Sequence, residues 1–509
     1  MGQGVSATHF TVDERNLYRS KVHRCLEALR RMVREDRFAT EEPRTGVEIE
    51  LALVDDGMCP AMVNDAVLDH ALLDRSASEV LTSELGRWTL EINLPPRMLP
   101  GTSADALEQE VLDTISSAGG CASRLGARAV TIGILPTLEA RHLASEQLTE
   151  DPRYAELNRQ MVAARGEPFR LDITRPGTDA DGAGGPGDAE HLVLDVDSIA
   201  SEAACTSLQL HLQLTPETFP AHWNAAQAVA GVQVALAANS PFLLGHRLWA
   251  ETRVPLFTQA VDTRPVELRN QGVRPRVWFG DRWASSVFDL FEENVRYFSA
   301  LLPMAEDEDP LAVLDAGGAP GLHELRLHNG TVWRWNRPVY DVADGVAHLR
   351  LENRVLPAGP TPVDAVANAV FFYGLVRALA PSPHPPWERM SFEAAEANFT
   401  AGARDGVEAR LYWPGVGTVG VDELVLETLL PLARDGLVAW GVDDATLERY
   451  LAVIAARCRT RRTGATWQTE TVAALEHDGV RRPEALRTML GRYVEHMETN
   501  APVHTWPVP

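Results

Sequence analysis

Four segments of this chain alternate apolar and polar residues with a period of two, and that pattern limits what its middle can fold into. In VEIELAL, Val47, Ile49 and Leu51 point one way and Glu48 and Glu50 the other. In WTLEINL, Leu90, Ile92 and Leu94 oppose Thr89, Glu91 and Asn93. SLQLHLQL sets Leu208, Leu210, Leu212 and Leu214 against Gln209, His211 and Gln213. HLRLENRV sets Leu349, Leu351 and Val355 against Arg350, Glu352 and Arg354. Successive side chains leave a strand on opposite faces, so a slip of one residue would turn every leucine out to water. The pattern predicts half-buried antiparallel strands whose apolar faces are core.

The plain account of the polar half is a solvated sheet face. The choice of residues argues for more, because Glu is depleted in strands and like charges on one face repel. Same-face neighbours along a strand stand roughly 6.5–7 Å apart, so two carboxylates can each hold a different divalent cation or flank one phosphate. Hard oxygen donors with one imidazole suit Mg²⁺ or Mn²⁺ better than zinc. Alone, His211 reads as an ordinary strand histidine; among these glutamates it is a candidate ligand. Arg350 and Arg354 read either as ion-pair partners of Glu352 or as donors to a polyphosphate. Metals combined with arginines are one means of stabilising charge in phosphoryl transfer.

Composition narrows the partners. A net charge of −24 repels nucleic acid and anionic membranes alike, which leaves small molecules as the expected partners. No run of about 18 uncharged apolar residues occurs, and the first 40 residues read as a charged helix and not as a secretory signal, so a cytoplasmic protein is expected. MGQGVS matches a lipid-attachment pattern only loosely and no polybasic patch follows it, so it is set aside. Of the 47 basic residues Lys21 is the sole lysine, a bias typical of a GC-rich bacterial genome. Schiff-base chemistry and a P-loop lysine are thereby excluded from any motif, and phosphate must be held by arginine, backbone amides or metal. Cys25, Cys59, Cys121, Cys205 and Cys458 show no paired short spacing, which speaks against a zinc cluster or disulfide framework and for core thiols.

The 509 residues divide into an amino-terminal helical segment (1–43), a mixed strand and helix unit (44–385) and a region that reads as helical to the end (386–509). RPGTDADGAGGPGDAEH, residues 175–191, reads as a mobile loop, and MAEDEDP, residues 304–310, as an acidic break.

The order GVEIEL, ELGRWTLEIN, TSLQLHLQL, AANSPFLLGHRLWAETR and RLENRV resembles the glutamate–cysteine ligase family, in its bacterial carboxylate–amine ligase branch (family 2), over residues 44 to about 380. The resemblance implies an α+β, glutamine-synthetase-like catalytic fold, in which a curved antiparallel sheet forms a funnel flanked by helices, here with a C-terminal helical appendage. It implies that Glu48, Glu50, Glu84, Glu91, His211 and Glu352 hold two or three Mg²⁺ or Mn²⁺ ions. Arg354 matches a phosphate-binding arginine, with Arg350 beside it, and Arg253 matches the arginine that grips the substrate amino acid. Arg153 and Tyr154, in DPRY, match a motif on the substrate side. Relatives often carry His-x-His where this chain has Gln209-Leu210-His211, which bears on metal number and nucleotide placement. The implied activity is ATP-dependent amide formation between a carboxylate, glutamate in the family, and an amine such as cysteine, through an acyl phosphate. A different amine acceptor, a nucleotide-binding protein without turnover and a metal-dependent phosphohydrolase are the alternatives. Segments 175–191 and 459–464 are candidate lids.

Overall fold

The computed structural model describes residues 10–39, 43–72, 79–175 and 189–508. One seven-stranded sheet dominates it: β1 (Thr45–Asp55), β2 (Leu81–Ser83), β3 (Thr89–Arg97), β4 (Ala127–Val130), β5 (Ser207–Leu214), β6 (Asn336–Ala343) and β7 (Val346–Pro357). The order is β6–β7–β5–β1–β3–β2, with β4 also paired to β1, and every pairing is antiparallel. The sheet curls into a half-barrel flanked by helices, an α+β architecture as expected. The four alternating segments are β1, β3, β5 and β7, which are consecutive across the sheet apart from their chain order.

Ten of the helices, in chain order, are α1 (Val12–Glu35), α2 (Ser103–Ser123), α3 (Pro152–Arg165), α4 (Phe219–Ala237), α5 (Pro362–Leu379), α6 (Phe392–Asp405), α7 (Leu430–Ala439), α8 (Asp444–Thr460), α9 (Gly464–His477) and α10 (Arg482–Glu498). The leucines of the alternating strands are buried, and α4, apolar around most of its circumference, packs on β7. A helix buried on all sides needs no polar stripe. Helix α5 packs beside α4, and its Tyr373 hydroxyl donates to the carbonyls of Gly46 (3.2 Å) and His211 (3.0 Å), pinning the helix to β1 and β5. By length and composition α5 could cross a membrane, but 89% of it is buried inside the protein. Where α5 meets α7 the approach is so close that a Cβ on Gly374 would lie 2.5 Å from the Ala433 carbonyl oxygen.

Residues beyond 386 are not purely helical: Arg410–Trp413 and Gly417–Gly420 form a small antiparallel hairpin. Leu411 and Trp413 are buried while Tyr412 between them is exposed, a short period-two signal easily lost between two helical patterns. The carboxy-terminal helices are bonded into the main unit. The Arg457–Asp364 ion pair, 2.8 Å long with both side chains at most 1% exposed, joins α8 to α5. Asn368 and the Leu236 carbonyl accept from the same guanidinium, and Thr361 and the Val503 amide donate to Asp364. The Tyr493 hydroxyl of α10 donates to the Thr131 carbonyl and accepts from Asn239.

Segment 459–464 does not hang free as a lid. Arg461 pairs with Glu408 and Asp422, Arg462 donates to the Trp506 carbonyl, and Gly464 is seated against Asn239. Of segment 175–191, residues 176–188 lie outside the described residues, as does MGQGVS; the flanking stretches Phe169–Arg175 and Glu190–Val196 pair as a hairpin. In 304–310, Asp309 caps the helix Pro310–Asp315 and pairs with Arg24 of α1. Lys21 lies on α1, where it donates to the Glu306 carbonyl and lies 3.9 Å from Glu324. All five cysteines are free; Cys25, Cys121 and Cys458 are buried, whereas Cys59 and Cys205 are only partly so.

Arg457→Ala would leave Asp364 charged and buried with its best partner gone. A loss of about 3–5 kcal/mol is expected, read as a lower urea midpoint. A loss below about 1 kcal/mol would show that α8 is not held by this pair.

Candidate functional site

The strand register decides which polar side chains become neighbours. Glu50 stands opposite Glu91, Glu48 lies between Asn93 and Gln209, and His211 faces Gly46 on one side and Glu352 on the other. Arg337 of β6 is opposite Glu352. A Cβ at position 46 would lie 3.3 Å from the His211 Cβ, so Gly46 makes room for the imidazole. The polar face is no solvated surface: Glu50, Gln209, His211 and Glu352 are all buried.

The expected metal-ligand residues form two groups. In the first, carboxylate oxygens of Glu50, Glu84 and Glu91 lie within 4.8 Å of one another. Glu50 accepts from the Ser207 amide (2.6 Å), the Ser207 hydroxyl (3.0 Å) and Gln209 (3.0 Å). Glu91 accepts from Asn93 (3.0 Å) and Gln209 (3.3 Å), and Glu84 from the Leu85 amide (3.0 Å). In the second group, His211 Nε2 lies 3.1 Å from Glu48, without the alignment of a hydrogen bond. Both Glu352 oxygens are taken, by Arg337 (2.7 and 2.8 Å) and Arg354 (2.6 Å). Arg350 donates to His211 Nδ1 at 3.3 Å and pairs with Asp341.

Gln209 joins the two groups. Its amide nitrogen donates to Glu50 and Glu91 while its oxygen accepts from Arg354. The reverse orientation would set oxygen against carboxylates and N–H against guanidinium, so the electrostatics select this one. An amide can satisfy both neighbours at once, which makes Gln209 a bridge between acid cluster and arginine.

The electrostatics of the two groups are opposite. Burial opposes ionisation of Glu48, yet His211 and Arg350 hold its carboxyl down at about 2. Burial is likewise outweighed at Glu352, where Arg337 and Arg354 keep the carboxyl well below the usual range. In the first group nothing compensates enough. Burial and then Glu91 push Glu50 up to about 8, burial with Glu50 and Glu202 pushes Glu84 up to about 8, and burial with Glu48 and Glu84 raises Glu91 well above its ordinary value. Such a cluster holds protons at neutral pH, and a divalent cation is the species that would displace them. Its hard oxygen donors fit Mg²⁺ or Mn²⁺.

Glu202 was invisible to the strand pattern because it sits in the 3-10 turn Ile199–Ala204 just before β5. Burial pushes it to about 7, and it acts on Glu50 and Glu84. Arg337 was missed as well, since NRPVYDVA carries a proline and alternates poorly. DPRY proves to be the start of α3, with Asp151 as cap and Pro152 in the first turn. Burial, then Glu84, raises the Tyr154 phenol, which donates to the Ser83 carbonyl at 3.4 Å; the Arg153 charge opposes that shift, and Arg153 Nε is buried without a partner. Arg253, expected to grip the substrate amino acid, is 2% exposed, pairs with Glu251 at 3.0 Å, and donates to the carbonyls of Arg354 and Val355. Its guanidinium thereby helps position the strand that carries Arg354.

The sequence profile of glutamate–cysteine ligase family 2 matches residues 44–490. The chain belongs to this family. The match runs well past residue 380 and takes in the carboxy-terminal helices as far as the middle of α10. Membership in glutamate–cysteine ligase family 2 supports a carboxylate–amine ligase. No curated protein matches the chain. Among solved structures it is similar to a glutamate–cysteine ligase from Francisella tularensis in complex with AMP, at 12% identity and a TM-score of 0.52, covering 93% of this chain and 91% of that one. It also matches a bifunctional glutathione synthetase from Pasteurella multocida, at 10% identity and a TM-score of 0.49, covering 95% of this chain and 54% of that one. At such identity the Francisella structure speaks for the fold.

The raised carboxyls give a signed pH dependence. Unfolded, they titrate near 4.5; folded, Glu50 and Glu84 keep their protons to about 8, so their contribution to stability falls as pH rises through that window. A divalent cation must displace those protons. The rise in melting temperature produced by Mn²⁺ is therefore expected to be small at pH 6 and several-fold larger at pH 8.5, with proton release on binding. Equal shifts at both pH values would count against a cation in this cluster.

Proposed function

We propose that this protein is an ATP-dependent carboxylate–amine ligase that joins glutamate to an amine. The observation that carries the reading is the pairing of a proton-holding carboxyl cluster with arginines already committed to the same sheet face, in a chain of this family. The AMP bound to the Francisella relative supports a nucleotide as co-substrate.

In the proposed reaction a carboxylate oxygen of the acid substrate attacks the γ-phosphorus of ATP, ADP leaves, and an acyl phosphate forms. The amine nitrogen then attacks the acyl carbon, phosphate leaves, an amide forms and the nitrogen gives up a proton. Glu50, Glu84 and Glu91 would hold one Mg²⁺ or Mn²⁺, and Glu48, His211 and Glu352 would help hold one or two more. When bound, such ions neutralise phosphate charge. Arg350 and Arg354 orient the transferred phosphoryl group and offset the charge that develops on it. Ionised Glu352 keeps Arg354 in place, and Gln209 accepts from the same guanidinium nitrogen. Arg153 and Tyr154 stand at the Glu84 edge of the cluster, on the proposed substrate side. Burial of the sheet face keeps water from the acyl phosphate. A nucleotide-binding protein without turnover is the second reading, and Gln209 in the His-x-His position favours it, since an amide is a poorer metal ligand than imidazole.

The test is incubation of the purified protein with ATP, Mg²⁺, glutamate and a panel of amines, following ADP and product mass. Amine-dependent ADP release with a condensed product is expected; amine-independent release would make it a hydrolase. Glu91→Gln is expected to lower metal-dependent ADP formation by more than about 100-fold with the circular-dichroism spectrum unchanged. Wild-type rates in that variant would remove Glu91 from the ligand set. For Arg253→Ala, kcat and melting temperature should fall together. A raised KM for the carboxylate substrate alone, at unchanged stability, would restore a direct substrate contact.

A further inference from the structure

A cavity of about 340 Å³ lies beside the catalytic sheet, and none of its lining residues belongs to the acid cluster. Its walls are aromatic: Trp249, Trp278, Phe279, Trp335 and Phe399 line it. Four of these five are buried in the core, and Trp249 is half-buried, held by a 3.0 Å hydrogen bond from its indole to the Thr174 carbonyl. The volume is that of a small-molecule site. Among the described residues no lysine, arginine or histidine lines it, in a chain where arginine is abundant.

Two carboxylates line the same cavity. Asp172 pairs with Arg170 at 3.5 Å and is hydrogen-bonded to His191 at 2.8 Å. Glu396, one turn before Phe399 on α6, is exposed and makes no ion pair among the described residues; the charge that acts on it is another carboxylate, Glu393. It offers the cavity a hydrated negative charge that no basic side chain among the described residues shares. Arginines stack on two of the walls, Arg253 over Trp335 (5.5 Å), and Arg334 (4.3 Å) and Arg274 (4.7 Å) over Trp278, so those rings already hold cations. Affinity must then come from apolar burial of the ligand body, with Glu396 supplying the polar choice.

We infer that this cavity is a binding site for a small amine that carries an aromatic or bulky apolar group, its ammonium paired with Glu396. The wall formed by Trp335 is coupled to the catalytic face. The Trp335 carbonyl accepts from the Arg354 amide at 2.8 Å, and the Arg253 guanidinium that covers its ring donates to the Arg354 and Val355 carbonyls. A ligand seated against Trp335 therefore touches one residue that bonds the Arg354 backbone and that packs on a second, Arg253.

Three probes of one shape separate the contributions: 2-phenylethylammonium, 2-phenylethanol and phenylacetate, titrated into the full chain and followed by tryptophan emission and melting temperature. Neither readout needs ATP or turnover, so failure of the ligase reading leaves this test intact. The ammonium is expected to bind saturably, the alcohol about tenfold more weakly, and phenylacetate not detectably over the same range. Glu396→Gln should bring the ammonium down to the affinity of the alcohol, and Thr400→Trp, at an exposed lining position, should block all three. No saturable ammonium binding, equal binding of all three probes, ammonium binding unchanged in Glu396→Gln, or quenching that survives Thr400→Trp would each overturn the assignment.

Discussion

Glu50, buried, and Glu91, half-buried, stand opposite one another on neighbouring strands, with a Glu84 oxygen within 4.8 Å of both, and the rest of the site is arranged around that repulsion. Two unit charges about 4 Å apart interact by roughly 4 kcal/mol at the effective dielectric of a protein, so such a cluster cannot simply be left ionised. The fold deals with like charge in two ways across one sheet face. On the side of β7 it supplies arginines, and the carboxyls there stay ionised. On the side of β3 the charge of Arg354 does not outweigh burial and the neighbouring carboxyls, which keep their protons until something more highly charged replaces them. A site poised to exchange protons for a cation is a consequence of where the arginines stop.

Arginine has this role because each guanidinium can serve two partners in fixed directions. Arg354 holds Glu352 with one arm and meets Gln209 as well; Arg337 closes on Glu352 as a fork. Lysine, a single point of charge, would satisfy one carboxylate and leave geometry loose. Behind the face a further arginine, Arg253, does for the backbone of β7 what these do for its side chains. A buried polar network of this kind couples its members, which ties the position of Arg354 to Trp335, Val355 and Glu251, residues outside the cluster.

Much of the sheet was legible because burial of one face demands strict alternation, and leucine at every second place is hard to misread. The polar residues between the leucines could be assigned to one face for the same reason. Their partners were not legible: period two reports a direction but not which strand comes next, so the meeting of Glu50 with Glu91, or Arg337 with Glu352, depends on register. Glu202 escaped because a 3-10 turn has no two-residue rhythm. The charge of Arg253 is plain in its motif, but its burial and its bonds to Glu251 and to the β7 backbone depend on tertiary structure. The hairpin at 410–420 was lost between helices for want of length.

The amino-acid order alone determined that a set of half-buried strands would present glutamates, one histidine and two arginines on a shared face, because local side-chain alternation is a property of the backbone and survives without any partner. Which of those carboxyls would be ionised was decided only in three dimensions. Proton affinity depends on the charges and the desolvation that distant segments bring within a few ångströms, and no stretch of the chain carries that information by itself.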